Sequence, residues 1–392
     1  MKVVTVTGNV DPADIGVTMT HEHIRYLTHD NLQDKFCDDY LAKPKNAKEE
    51  EISNLKVTLE NLNEISKNEF LVSDNMAELS PITFDEAIEA AMIYKNHGGN
   101  TLTDITNDSI GRNPNALVRL SNQTGVKIVA GTGYYVGISH PEYIKKWSVE
   151  RVKEEIVKDL TVGIWDTDIR AGIIGEIGAL DAKLTSEEAK TIEAAALAQV
   201  ETDAGIFSHC RGIGRLDAHK PQIEIFERVG ANPEKIVIAH RDGMLSHLKR
   251  DQYLTHFKEI LDKGYYIAFD TFGMEKQFKH GLDDYKTNTD WNIDVKYDPN
   301  SKIRFDWAPV FNVCKDIERV EAVMDIINMG YTNKILLSHD ISFKMHYKKY
   351  GGYGWSHILE TVVPLLLAAG ATQSQVDTIL KKNPARLLER NI

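Results

Sequence analysis

The chain has 392 residues, with 46 Lys and Arg against 58 Asp and Glu, for a formal net charge of −12. Hydrophobic residues make up 42% and charged residues 27%, a balance that excludes disordered and collagen-like chains and allows a large buried core. The acidic excess argues against nucleic acid and against an anionic membrane surface, since both need clustered Lys and Arg.

No segment reads as a membrane span. The best apolar run, residues 362–371, contains Pro364 and Gly370 and falls well short of the roughly 20 residues required. The opening MKVVTVTGNVDPAD is too poor in apolar residues for a secretory leader. Cys37, Cys210 and Cys314 are scattered and odd in number, which points away from a disulfide framework and toward a reducing cytoplasm.

Short β-rich runs bounded by Gly, Asp or His recur along the chain. In order they are residues 16–23 (GVTMTHEH), 100–106 (NTLTDIT), 126–133 (VKIVAGTG), 171–178 (AGIIGEIG), 205–210 (GIFSHC), 235–241 (KIVIAHR), 265–271 (YYIAFDT) and 334–340 (KILLSHD). Stretches with helical periodicity separate most of them. Residues 186–202 carry two Glu in the first turn, and residues 316–329 form another such stretch. Strands alternating with helices imply a parallel sheet. Eight of them imply an α/β protein built as a closed (β/α)8 TIM barrel, one domain using residues 1–392. Two intervals are too long for simple connections. Residues 28–86, after the first strand, are charged and read as a solvated helical insertion. Residues 272–309, after the seventh, read as a lid-like loop.

The chemistry lies at the strand ends. The first strand ends in His21-Glu22-His23. Residues i and i+2 of a strand share a face, so His21 and His23 point together and Glu22 points away. The fourth strand ends at Glu176, the fifth at His209, the sixth at His240 and the eighth at Asp340. In a barrel these ends converge on one rim, where active sites sit. Four His, one Glu and one Asp suit zinc, manganese, iron or cobalt. Taken singly each is weak, but five strands ending in ligand-type residues predict a metal site. Cys210 and His339, each next to a ligand-type residue, should face the other side of their strands, as a structural thiol and a supporting imidazole.

These motifs resemble the phosphotriesterase family of the amidohydrolase superfamily, nearly end to end. GVTMTHEHI fits its first-strand signature, and residues 108–141 resemble its third-strand region. GIIGEIG, FSHC, VIAHRDG and LLSHD carry the remaining ligand positions. KKYGGYGWSHILETVVPLL and NPARLL resemble its C-terminal region. The resemblance implies two divalent metal ions, zinc first and Mn2+, Fe2+ or Co2+ as alternatives. His21, His23 and Asp340 would hold the more buried ion, and His209 and His240 the more exposed one. Many family members bridge the ions with a carboxylated lysine; here that position is Glu176, as in the branch resembling the phosphotriesterase-related proteins. Glu is shorter, so backbone or metals must shift to allow bridging.

The implied activity is hydrolysis of a carboxylic ester or lactone by a metal-bridging hydroxide, with organophosphate triester cleavage as a side activity. Asp340 would orient the hydroxide and carry the proton to the leaving group. Substrate contacts are expected from Tyr134 and Tyr135, with wall packing as the alternative for each. Arg211, Arg215 and Arg241 could fork onto an anionic group or pair with nearby carboxylates. Those arginines keep open an amidohydrolase acting on a small acidic N-acyl compound. A metal-dependent deoxyribonuclease on a related barrel fits the ligand set but not the acidic charge. A non-catalytic small-ligand binding protein fits the barrel but not the complete ligand set. A small-molecule substrate and a homodimer complete the expectations.

Overall fold

The computed structural model describes residues 1–24, 44–76, 82–179, 181–210, 219–246, 248–276 and 314–392. The chain opens with an antiparallel hairpin, β1 (Lys2–Thr5) and β2 (Gly8–Val10). Eight parallel strands follow: β3 (Thr18–Glu22), β4 (Thr101–Asp104), β5 (Lys127–Thr132), β6 (Ile173–Ala179), β7 (Gly205–Cys210), β8 (Ile236–Ile238), β9 (Tyr266–Phe269) and β10 (Ile335–Leu337). Each is hydrogen-bonded to the next in chain order, the pattern of a (β/α)8 barrel. Seven of the eight predicted runs contain one of these strands, and the fourth, residues 171–178, covers all of β6 but its last residue, Ala179. The last strand, β11 (Glu389–Arg390), returns to pair with β1.

Alternation along the strands sorts their apolar residues into two layers. Ile105, Val129, Ile173, Phe207, Val237, Ala268 and Leu336 share one buried cluster with Val3, Leu387 and Leu388, so the small terminal sheet packs with the barrel lining. Gly172 and Gly205, at the starts of β6 and β7, have no room for a Cβ, because the Val4 carbonyl and Leu387 lie against them. The N-terminal sheet and the C-terminal helix thus plug the bottom of the barrel and leave the opposite end for chemistry. The other apolar face meets the surrounding helices. Among these, Ser186–Thr202 matches its predicted span; Thr185 and Glu188 form its capping box. Asp316–Asn328 likewise follows its periodicity.

The seam between β10 and β3 is closed by side chains. The Glu22 carboxylate is fully buried. Its Oε1 accepts from the His339 amide at 3.0 Å and the His339 ring Nδ1 at 2.7 Å, and lies 2.8 Å from Ser338 Oγ. Main chain adds one direct bond, Asp340 N to the His21 carbonyl at 3.1 Å.

The described part of the insertion carries two short helices, Ala47–Ser53 and Leu62–Lys67, joined by irregular chain. It is not purely a solvated face. Ile52, Val57, Ile65, Leu71, Val72 and Met76 bury a satellite core against Phe343 and Met345, in the loop after β10. Of the loop predicted at 272–309, residues 277–309 lie outside the described residues. Among the described residues, no helix is long and apolar enough to cross a membrane.

Candidate metal centre

Five of the six predicted ligand residues stand at or just beyond the C-terminal ends of barrel strands, while Glu176, expected to end its strand, lies in the middle of β6, which runs on to Ala179; the fold gathers all six. Two overlapping groups form: His21 with Glu176 and His240, and His21 with His23 and Asp340. Within each group the ligand atoms lie within 4.8 Å of one another. Glu176 Oε1 is the hub of the first. It lies 2.7 Å from His209 Nδ1, 3.1 Å from His240 Nε2 and 3.6 Å from His21 Nε2. Asp340 Oδ1 serves the second, 3.2 Å from His23 Nε2 and 3.5 Å from His21 Nε2.

Orientation of the rings comes from a residue that the sequence reading passed over. Asp270, just beyond β9, is fully buried. Its Oδ2 accepts from His21 Nδ1 at 2.7 Å, and its Oδ1 accepts from both the His240 ring Nδ1 and the His240 amide at 3.0 Å. A carboxylate only accepts, so it fixes the proton of each ring on Nδ1 and leaves each Nε2 lone pair free for the cluster. Thr106 Oγ1 steadies His23 Nδ1 at 3.0 Å. The signal for Asp270 was in the sequence, as the acidic residue ending YYIAFD.

Backbone geometry also marks the site. His240 and Asp340 adopt positive φ, 55° and 51°. Non-glycine residues there cost on the order of 1–3 kcal/mol. The hydrogen bonds from their own amides, to Asp270 and to the His21 carbonyl, hold them in place.

The donor set fits metal ions. His21 Nε2 is fully buried and has no hydrogen-bond partner. His240 Nε2 and His209 Nδ1 converge to 2.9 Å around the Glu176 carboxylate. So many electron pairs facing inward call for cations between them. Protons alone respond in the same sense. Burial would push the His21 imidazole down, but Asp340, Glu176 and Asp270 outweigh it and lift it to about 9. His240 rises against burial through Asp270 and Glu176, while burial wins at His209 and lowers it. Glu176 is held well below the carboxylate range, against burial, by His209 and His21.

The expected substrate contacts divide. Tyr135 reaches the site: its ring packs edge-on against His209 at 4.8 Å, and its hydroxyl lies 3.4 Å from the imidazole nitrogens. Tyr134, one residue earlier, points the other way. It is buried against His140 and Tyr143 as wall packing. Arg241 does not reach the mouth. It is fully buried, with Nε on the Ala239 carbonyl and Nη2 on the Cys210 carbonyl, so it braces strand ends. Arg211 and Arg215 lie outside the described residues. Cys210 is a free, buried thiol pushed by burial up to about 11. His339 supports the seam through Glu22 and accepts from the Ile358 amide at 3.1 Å.

The phosphotriesterase family model matches residues 1–388. The chain belongs to that family. N-acetyltaurine hydrolase of Danio rerio is 33% identical over 388 residues, covering 99% of this chain and 97% of the relative. A phosphotriesterase-related protein of Nematostella vectensis is 31% identical over 383 residues, 97% of this chain and 96% of the relative. Among solved structures, a resiniferatoxin-binding protein from Rhodobacter sphaeroides superposes with a TM-score of 0.82 at 26% identity, over 100% of this chain and 96% of the other. The protein is a hydrolase of the phosphotriesterase family, and its His, Glu and Asp groups are those that could hold the family's metals.

Proposed function

We propose that this protein hydrolyses the amide bond of a small N-acyl compound with an anionic head. The observation that carries the reading is the end-to-end similarity to N-acetyltaurine hydrolases, at 31–33% identity, together with an assembled ligand cluster. Two divalent cations, zinc first, would be held by His21, His23 and Asp340 on one side and by His209 and His240 on the other, with Glu176 between them. Bound there, they would polarise the scissile carbonyl and ease deprotonation of the attacking water.

The chain's own residues do the rest. Asp340 is the most open of the six, with 18% of its side chain exposed, against 3% for Glu176 and none for His21. It therefore faces the approach side and can hold a proton at its carboxylate for the departing nitrogen, which an amide needs before its C–N bond breaks. Asp270 keeps His21 and His240 in the tautomers the site requires. Tyr135 places a hydroxyl beside His209, within reach of a bound carbonyl substituent.

Carboxylic ester or lactone hydrolysis is the second reading, since the same arrangement serves an alkoxide leaving group. A panel of N-acetyltaurine, N-acetyl amino acids, lactones and a phosphotriester tests both. The amide reading expects kcat/KM for N-acetyltaurine to exceed that for any lactone; lactone turnover with no amide turnover refutes it.

A further inference from the structure

The strand ladders stop short of the residues that orient the ligands. The β8–β9 pairing ends at Ile238 with Ile267, and the β9–β10 pairing at Phe269 with Leu337. His240 and Asp270 therefore meet past the last paired residues, where side chains take over the alignment. Asp242, two residues after His240, is fully buried. Its Oδ2 accepts from the Thr271 amide at 3.0 Å, the Thr271 hydroxyl at 2.5 Å and Arg319 Nε at 3.0 Å. Asp242 thus ties the segment that carries His240 to the segment that carries Asp270.

Arg319, on the helix Asp316–Asn328, is 1% exposed and uses its whole fork. Besides Asp242, it reaches the Thr271 hydroxyl through Nη2 at 3.0 Å and Asp316 Oδ1 through Nη1 at 2.8 Å. Asp316 Oδ1 in turn accepts from the Gly273 amide at 3.0 Å. The Phe272 amide between them donates to the Ser338 carbonyl at 3.4 Å. All three amides that follow Asp270 are thereby fixed, two of them on carboxylates that Arg319 holds. Such a network is a poor way to add stability. Dehydrating a buried ion pair costs about as much as the pair returns, and apolar residues of similar volume would join a helix to the barrel as well. What the charged groups add is direction, and every bond here is aimed at the exit of β9.

We propose that Arg319 is a positioning residue of the metal centre: by holding Asp242 and Asp316 it fixes the exit of β9 against that of β8, and so sets how Asp270 presents His21 and His240 to a divalent cation. Arg319 contacts neither the ligand cluster nor the mouth; it acts through Thr271 and Asp242. The inference rests on the metal-binding reading above and is independent of which bond the enzyme cleaves.

The test measures Zn2+ affinity by chelator competition, with the visible bands of Co2+ in the same site as a report on ligand geometry. Arg319→Met should weaken Zn2+ binding by about tenfold, the low end for partners that orient ligands, and should alter the Co2+ bands; Arg319→Lys should restore part of both. Thr271→Val keeps the shape and the amide bond but removes the hydroxyl, so a several-fold loss is expected with little demand on folding. Arg319→Met also leaves a buried carboxylate without its cation. Combining it with Asp242→Leu removes both charges, so Tm in chelator should return toward the parent while Zn2+ affinity stays about tenfold down or lower. Zn2+ affinity that recovers together with Tm in this double variant assigns the network to folding alone and overturns the proposal. Parent-like affinity and Co2+ bands in Thr271→Val and Arg319→Met overturn it too. In both cases the parent still binds Zn2+ and the metal reading stands; a parent that takes up no cation removes that reading itself.

Discussion

Replacing Asp270 by Asn changes almost no volume and tests the whole logic of the centre. The carboxylate accepts three hydrogen bonds, two at Oδ1 from His240 and one at Oδ2 from His21. An amide keeps one acceptor, and Oδ1 retains it because two donors meet there. The new NH2 then faces His21 Nδ1. That nitrogen must give up its proton and become the acceptor, so the proton moves to Nε2, the atom now bare and aimed at Glu176 and Asp340. His21 belongs to both ligand groups, so a single tautomer switch disables a ligand of each. Loss of a carboxylate partner behind a metal-binding His costs about 10–100-fold in affinity or activity, or about 1.4–2.7 kcal/mol. The upper end applies here, because the lost ligand is shared. Chelator competition followed by elemental analysis should show the affinity loss, and kcat/KM should recover in part when metal is added in excess. An Asp270→Asn protein with metal affinity and kcat/KM within about twofold of the parent would refute the reasoning.

Three further expectations follow from the same geometry. Asp340→Asn should retain most of the metal yet lose turnover by about 10²–10⁴-fold, and near-normal kcat would remove its proton-carrying role. His21→Ala combined with His23→Ala should strip the protein of metal to background in elemental analysis, since His21 alone serves both groups. Glu86 tests a pH effect away from the centre. It accepts from Lys349, Tyr350 and the Thr83 amide, and these bonds hold it, against burial, down to about 2 from an ordinary 4.5. A lowered folded-state value means that its contribution is complete above 4.5 and fades as pH falls toward 2. The Tm gap between parent and Glu86→Gln should therefore be full at pH 7 and shrink below pH 4; a gap independent of pH would contradict it.

The barrel was legible because its strands are short apolar runs cut off by Gly, His and Asp, and because parallel strands put every such ending on one rim. The ligand residues came with the strands for the same reason. Asp270 was missed although it is the penultimate residue of the seventh run, because a single acidic residue next to Thr271 looks like a strand terminator, and its partners are 249 and 30 residues away in sequence. Tyr134 and Tyr135 were inseparable in sequence: adjacent residues face opposite ways, and only the frame of the strand decides which one meets His209. Arg241 follows a ligand and carries the charge expected of a substrate contact. A positive φ at His240 turns the chain there, and the guanidinium ends beneath the rim on main-chain carbonyls. The insertion's inner face was hidden because its partners, Phe343 and Met345, arrive from the far end of the chain.

The Glu22 strut has a consequence for how the enzyme comes apart. The first and last staves of the barrel are joined by one carboxylate, the Ser338 hydroxyl and a few amides rather than by a full ladder. His21 and His23 stand on one side of that joint and Asp340 on the other, so a cation held among them would also be a clasp across the one seam that lacks a strand ladder. Catalytic competence and mechanical closure would then be lost in the same event. An enzyme stripped of its ions should open first along this line, with hydrogen exchange rising at residues 20–24 and 336–341 before it rises anywhere else in the wall.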